Sequence, residues 1–420
     1  MSDSPACACW PDAMTSWWKT HPEMVVVLAG VSAALHVGKL SPALPVLQEV
    51  MDMSLLQAGF LLSLVQLAGV LLGLAVCLGA DGLGLRRSML AGLLVLSLAS
   101  FAGGASGSVE ALLAWRAVEG VGFLLASMPA PGLIRRLVPA HRMRRVLGLW
   151  GAYMPLGTSL ALISGPVVLQ AFGWQYWWWL PAAASLLMAL ALWHAVAPDS
   201  PAGASPSGGR AEVSQANDNW MARLRRTVCA RGPWLVALAF AVYSSQWLAV
   251  IGFLPSVLAE SGFAATAVAW PLALAAAVNM IGNIASGRLM EYGVPPAWLL
   301  AAGYLAMALG AWIAFDGYSG GATPDVAWRY AGVLGFSMLG GMIPGTLFSL
   351  AVAVSTDEAS VSTTVGWMQQ WSSMGQFAGP PLVAWVAHQA GGWQWTWCVT
   401  GLLAMAGLAA TGLLAKEVRR

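Results

Sequence analysis

Three stretches of this chain contain no Asp, Glu, Lys or Arg at all: from Arg145 to Asp199, from Arg329 to Asp357, and from Glu358 to Lys416. A helix needs about 20 apolar residues to cross the hydrocarbon core of a bilayer. The first and third stretches are therefore each long enough for two spans. Charged residues make up only 9% of the chain and hydrophobic residues 58%, against about 25% charged in a typical globular domain. Such a composition cannot cover a water-soluble surface, and it predicts an all-α, polytopic membrane protein.

The apolar segments divide into twelve predicted helices: Met24–Leu47, Leu55–Gly79, Ser88–Ala105, Glu110–Pro131, Val146–Phe172, Tyr176–Val196, Pro233–Leu258, Ala264–Gly287, Ala297–Asp316, Val326–Val354, Val361–Ala387 and Gln394–Ala415. This gives a tail over 1–23, a six-helix bundle over 24–197, a linker over 198–232, a second six-helix bundle over 233–415 and a tail over 416–420. The linker is rich in Pro, Gly, Ser, Ala and Arg, with a short amphipathic piece at Trp220–Arg226. With these spans, all of the 20 Lys and Arg except Lys39, Arg116 and Arg329 fall on one side of the membrane. By the positive-inside rule that side is the cytoplasm, with both termini inside a cytoplasmic (inner) membrane. No short basic-then-apolar leader precedes the first helix, so that helix is expected to act as an uncleaved anchor.

Five cysteines give no disulfide framework. Cys7 and Cys9, with His21 nearby, allow a metal-handling reading, but incidental thiols in a tail fit better, and no metal or cofactor is expected. The 19 Met raise a copper importer as a rival. None of them falls in Pro233–Leu258, and the rest scatter as core filler. The glycines around Gly79–Gly84 lack the strand–loop–helix setting of a phosphate cradle, which argues against an ATP-driven pump or an enzyme. Nothing points to nucleic acid, and a monomer is expected.

The two halves repeat. AWRAVEGVGF at Ala114–Phe123 is echoed by AWRYAGVLGF at Ala327–Phe336, and Pro131-Gly132 by Pro344-Gly345. Gly165-Pro166 matches Gly379-Pro380, and Gly173-Trp174-Gln175 matches Gly392-Trp393-Gln394. Six plus six helices in a parallel repeat is the architecture of secondary transporters that bind at the bundle midplane. Trp177, Trp178, Trp179, Trp393, Trp395 and Trp397 sit at helix ends and read as interfacial anchors rather than a ligand cage.

Three basic side chains interrupt these apolar segments. A cation in hydrocarbon costs about 2.5–3.5 kcal/mol on insertion scales, and it survives when it faces a watery cavity or a partner. His36 and Lys39 lie three residues apart and share a helix face. Arg116 and Glu119 are one turn apart and can pair, leaving Lys39 as an uncompensated charge in a net-positive midplane that would attract an anion. His36, Lys39 and Arg116 are therefore candidate substrate-binding residues, with Tyr153, Gln246, Gln370 and Asn279 as neutral polar complements. Each of those neutral groups could equally be interhelical glue. Glu119, Arg116 and His36 are candidates for coupling. Pro344 and Gly345 are candidate bending points, with static packing as the plain alternative.

Together these features resemble the major facilitator superfamily over nearly the whole chain. GADGLGLRRSML is similar to that family's loop between its second and third helices, which implies a gating role for Asp81, Gly84, Arg86 and Arg87. Cys77, Gly82 and Leu85 depart from the pattern. Arg116, Gly120 and Gly122 resemble the family's arginine-and-glycine motif, often linked to proton coupling. Gly165-Pro166 resembles part of its antiporter motif, but Val167–Gln170 lack the closing glycine pair. HVGKLSPALP and WGAYMPLGTSLALISGP look most like the cyanate/nitroimidazole porter group. The resemblance implies a secondary transporter working by alternating access on a small, anionic solute, possibly with protons. The rivals are proton-driven efflux of a drug or metabolite, and a membrane sensor that binds its solute without moving it.

Overall fold

The computed structural model describes residues 18, 20–74, 84–139, 142, 146, 149–199, 220–260, 265–315, 326–356 and 360–418. Within them lie α1 (Pro22–Val50), α2 (Leu55–Leu74), α3 (Leu85–Gly104), α4 (Val109–Leu137), α5 (Tyr153–Phe172) and α6 (Trp174–Ala195). The second half holds α7 (Arg231–Glu260), α8 (Ala269–Glu291), α9 (Pro296–Phe315), α10 (Val326–Ala353), α11 (Val361–Ala390) and α12 (Thr396–Glu417). Eleven of these helices are long and apolar enough to cross a membrane. The twelfth, α11, runs 30 residues and is diluted by Gln369, Gln370 and Gln376. The fold is the expected all-α membrane protein of twelve transmembrane helices in two pseudo-symmetric six-helix bundles. A linker helix, Trp220–Cys229, continues past the expected amphipathic piece to the start of α7.

The repeats noticed in the sequence turn out to be packing devices. In the first bundle α5 lies on α1, with Gly165 against Pro42 and Gly157 against Ala34. In the second, α11 lies on α7, with Gly379 against Ser245 and Gly375 against the Ala241 backbone. Gly122 of α4 meets Gly92 of α3, and Gly332 of α10 meets Gly310 of α9. In each case a Cβ would collide with the facing helix, so the small residue sets the interhelical distance. The repeated Gly-Trp-Gln marks a turn at positive φ: Gly173 has φ 91°, and Gly392 has φ 158° just after Gly391 at φ 68°, a region glycine enters without strain.

Several helices are broken near mid-depth. α1 divides at Lys39 into Pro22–Gly38 and Leu40–Val50, three residues before Pro42. α2 tightens into a 3-10 turn at Leu64–Gln66, and α4 breaks before Ala130, beside Pro129. The α8 region divides at Val278, between Ala265–Ala277 and Asn279–Glu291. α10 divides at Gly341, three residues before Pro344. Proline lacks the N–H and crowds the carbonyl four residues back, so Pro42 and Pro344 account for the breaks just upstream of them.

The bundles meet along three seams. Leu40–Val50 of α1 packs on α7, α5 packs on Ala265–Ala277, and α2 packs on α11. The first two seams lie in the half of the molecule away from the basic loops that carry Arg86, Arg135 and Arg288. The third runs further, from Gly59 against Pro381 to Gly73 against Gln370. It is tied by Gln66 Nε2 donating to Gln376 Oε1 at 3.0 Å and Gln370 Nε2 donating to the Val70 carbonyl at 2.6 Å.

Candidate functional site

The break in α1 brings its two basic residues into the centre of the first bundle. Lys39 and His36 are fully buried, and Arg116 and Glu119 nearly so. Lys39 Nζ donates to Glu119 Oε1 at 2.5 Å and to Ser100 Oγ at 2.7 Å. Arg116 Nη1 donates to Glu119 Oε2 at 2.5 Å. One carboxylate thus bridges two cations, one per oxygen. The Lys39 ammonium also sits 4.8 Å from the centroid of the Trp178 ring, whose negative face favours a cation. His36 Nε2 lies 2.8 Å from Ser185 Oγ, and its Nδ1 lies 3.7 Å from Glu119 Oε1.

The surrounding backbone is shaped to hold this node. Arg116 Nη1 donates to the His36 carbonyl at 2.6 Å, in the last turn before the α1 break. Its Nε donates to the Leu61 carbonyl at 3.1 Å, at the entry to the 3-10 turn of α2. Trp177 Nε1 donates to the carbonyl of Lys39 itself at 2.8 Å. Gly120 lets α4 come close enough for these bonds, because a Cβ there would strike the Val65 carbonyl. Hence the Arg116, Gly120, Gly122 spacing has a plain physical reading. The guanidinium reaches across to α1 and α2, and each glycine clears one neighbouring helix, α2 or α3.

Two expectations change here. Lys39 is not an uncompensated charge, because Glu119 has two oxygens and serves both cations. Trp177 and Trp178 are not interfacial anchors, being 0% and 1% exposed inside the bundle. They sit between α1 and α3 because α6 packs on both. Trp393 is likewise buried, packing on Phe253, whereas Trp395 is exposed as expected. Ser100, Trp178 and Ser185 were missed by sequence reasoning. A single serine in an apolar helix carries no signal until a charged partner is placed beside it.

The remaining candidates are dispersed. Asn279 donates to Tyr243 Oη at 3.0 Å and to the Ser337 carbonyl at 2.9 Å, which ties α7, α8 and α10 together inside the second bundle. Gln370 belongs to the α2–α11 seam. Gln246 is buried, and its Nε2 donates to the Val242 carbonyl at 3.0 Å while Oε1 has no partner among the described residues. Tyr153 stacks on Trp150 with ring centroids 4.3 Å apart. Gly345 faces Ser286 and Asn283 across the α8–α10 contact, one residue after Pro344.

Among the loop candidates, Asp81 lies outside the described residues, as do Cys7, Cys9 and Cys77. Gly84 has φ 84° and opens α3. Asp199, which sequence reasoning passed over, receives the backbone N–H of Arg86 at 3.3 Å and of Arg87 at 3.0 Å. It also accepts from Arg136 Nη1 at 3.3 Å. The Arg86 side chain turns inward, donating to the Trp193 carbonyl at 2.7 Å. No group of His, Cys, Asp and Glu that could hold a metal occurs among the described residues.

The Major Facilitator Superfamily model matches residues 26–369. The chain belongs to the major facilitator superfamily. Its fold aligns with an inward-facing, unoccupied bacterial homologue of the human lysosomal transporter Spinster at a TM-score of 0.74, with 17% identity over 96% of each chain. A D-xylose–proton symporter aligns at a TM-score of 0.70, with 18% identity over 94% of this chain and 97% of the other. The 2-nitroimidazole transporter of Escherichia coli is 29% identical over 53% of this chain and 53% of its own length. The tetracenomycin C resistance and export protein of Streptomyces glaucescens is 29% identical over 37% of this chain and 29% of its own. The methylenomycin A resistance protein of Streptomyces coelicolor is 33% identical over 34% of this chain and 31% of its own. Each of these matches spans well under two thirds of the curated relative.

Proposed function

We propose that this member of the superfamily is a secondary active transporter of a small organic solute, working by alternating access and driven by protons, with the His36–Lys39–Arg116–Glu119 node as its coupling centre. The observation that carries the reading is the single carboxylate shared by two buried cations on different helices, α1 and α4. Protonating Glu119 would remove the anion from both at once and leave like charges in a low-dielectric interior. The broken α1 would then have an electrostatic reason to shift, and the seam of Leu40–Val50 with α7 would shift with it. In this reading Lys39, Arg116 and His36 act on the coupling step. Tyr153 and Gln246, the latter with its unpartnered carbonyl oxygen, are the groups that meet the solute. Pro344, Gly345 and the Gly84–Arg87 turn act in gating. In this reading the basic loops face the cytoplasm of an inner membrane.

A second reading, that the solute is a small anion, is favoured by the charge of the node: two cations and one carboxylate, with Arg116 Nη2 lacking an acceptor among the described residues. Given the partial likeness to a 2-nitroimidazole transporter and to a tetracenomycin C resistance and export protein, the test set includes 2-nitroimidazole and tetracenomycin C beside cyanate and monocarboxylates.

The test is solute-dependent proton movement in proteoliposomes carrying a trapped pH dye. At least one member of the panel should move protons with the native protein and none with Glu119→Gln. Proton flux that survives Glu119→Gln would overturn the coupling assignment. Solute flux without any proton movement would overturn proton drive, and binding without flux would make the protein a sensor.

A further inference from the structure

Away from the central node, one corner of the second bundle combines charge, an apolar wall and a cavity. The linker helix ends at Cys229 and α7 begins at Arg231, while α12 ends at Glu417. Between them lies a cavity of about 480 Å³ whose lining includes Cys229, Arg231, Trp234, Leu413, Lys416 and Glu417. Neither Arg231 nor Lys416 forms an ion pair or hydrogen bond through its side chain among the described residues. The cavity is rigidly walled. Trp234 Nε1 donates to the Val228 carbonyl at 2.7 Å, and its ring packs on Trp367 and Trp371 with centroids 4.9 and 5.2 Å away.

The linker helix lies along the same edge. It buries Thr227 against the bundle and exposes Arg225 and Arg226, so its basic side chains lie on the same edge as the cavity. Arg231 and Lys416 are thus the innermost pair of a basic strip at the point where α7 and α12 enter the bilayer, and only Glu417 opposes them in the cavity. Leu413, one turn deeper on α12, also lines the cavity and is 53% exposed, which gives the charged mouth an apolar floor.

We propose that this cavity binds the headgroup of an anionic phospholipid, with the phosphodiester held between Arg231 and Lys416 and an acyl chain running down past Leu413. A soluble anion would use the two cations but not the apolar floor below them. A zwitterionic lipid would bring its own cation into a site that already has a surplus. Occupancy would fix the linker helix against the bundle to which it is joined, tying the inter-bundle connection to the composition of the membrane. The proposal does not depend on which solute is transported.

Native mass spectrometry of the full chain, released from detergent containing phosphatidylglycerol or phosphatidylcholine, tests it. One phosphatidylglycerol should be retained preferentially by the native protein. Arg231→Gln with Lys416→Gln should weaken retention by about 30-fold, each cation near an anionic headgroup contributing about fivefold. Arg231→Lys with Lys416→Arg keeps the charges and should retain the lipid, as should Arg288→Gln, which removes an exposed cation at another corner. Equal retention of both lipids, retention by the double Gln variant, or loss from the charge-keeping variant would overturn the proposal. So would displacement of the lipid by millimolar inorganic phosphate, which would make the site one for a free anion.

Discussion

Glu119 is the residue whose loss the node should tolerate least. At 2.5 Å from each cation, Coulomb attraction at an effective dielectric of about 20 is about 7 kcal/mol per pair. Desolvation of the three groups offsets most of that, so the pairs add little net stability while intact. Removing the shared partner is different, because Glu119→Gln leaves both Lys39 and Arg116 buried with no anion. The expected cost is about 3–5 kcal/mol, the range for a buried pair broken from one side. Lys39→Met should cost only about 1–2 kcal/mol, since Glu119 keeps Arg116 and what goes is the lysine's own charge-assisted hydrogen bonding. The double variant should cost less than the sum of the two, because removing Lys39 removes one of the charges that Glu119→Gln strands. Apparent melting temperatures in detergent, followed by fluorescence-detected size exclusion, give the order: native, then Lys39→Met, then the double variant, then Glu119→Gln. Additive losses, or Lys39→Met falling below Glu119→Gln, would refute a shared carboxylate and point to two independent contacts.

Three further outcomes follow from the packing. Paired cysteines at Gly73 and Gln370 in a cysteine-free background should cross-link α2 to α11 under mild oxidation, since a Cβ on Gly73 would lie 3.4 Å from that of Gln370, close to the span of a disulfide; solute flux should stop and return on reduction, and flux that continues in the cross-linked protein would argue against movement at this seam. Gly120→Ala should lower stability by about 1–3 kcal/mol by forcing α4 off the Val65 carbonyl, whereas Gly151→Ala, in open space, should leave the melting temperature unchanged. Asp199→Ala should cost about 0.5–2 kcal/mol by uncapping α3, read as a lower melting temperature and faster amide exchange confined to the first turn of α3.

Much of the architecture was legible because the bilayer is an unforgiving solvent. Charge-free runs such as Arg145–Asp199 can only be spans, but the role of each glycine was not legible: Gly92, Gly122, Gly310 and Gly332 are close contacts, whereas Gly335 and Gly401 face open space. Pro344 announced its break, which falls three residues upstream at Gly341, whereas the break at Lys39, three residues before Pro42, was found only in the structure. The pairing of Arg116 with Glu119 was readable because both lie on one helix turn. The partner of Lys39 was not, since its distance from Glu119 depends on how α1 and α4 pack rather than on their spacing in the chain.

The chain by itself determined which segments must leave water, where helices must bend, and that three cations had to find partners inside the membrane. Those are local consequences of hydrocarbon solvation and backbone chemistry. Only the tertiary structure decided who the partners are: a carboxylate shared between α1 and α4, Ser100 and the Trp178 ring beside Lys39, and Asp199 at the start of α3. Long-range pairing is set by helix packing geometry, and a string of residues does not carry that geometry until the helices are brought together.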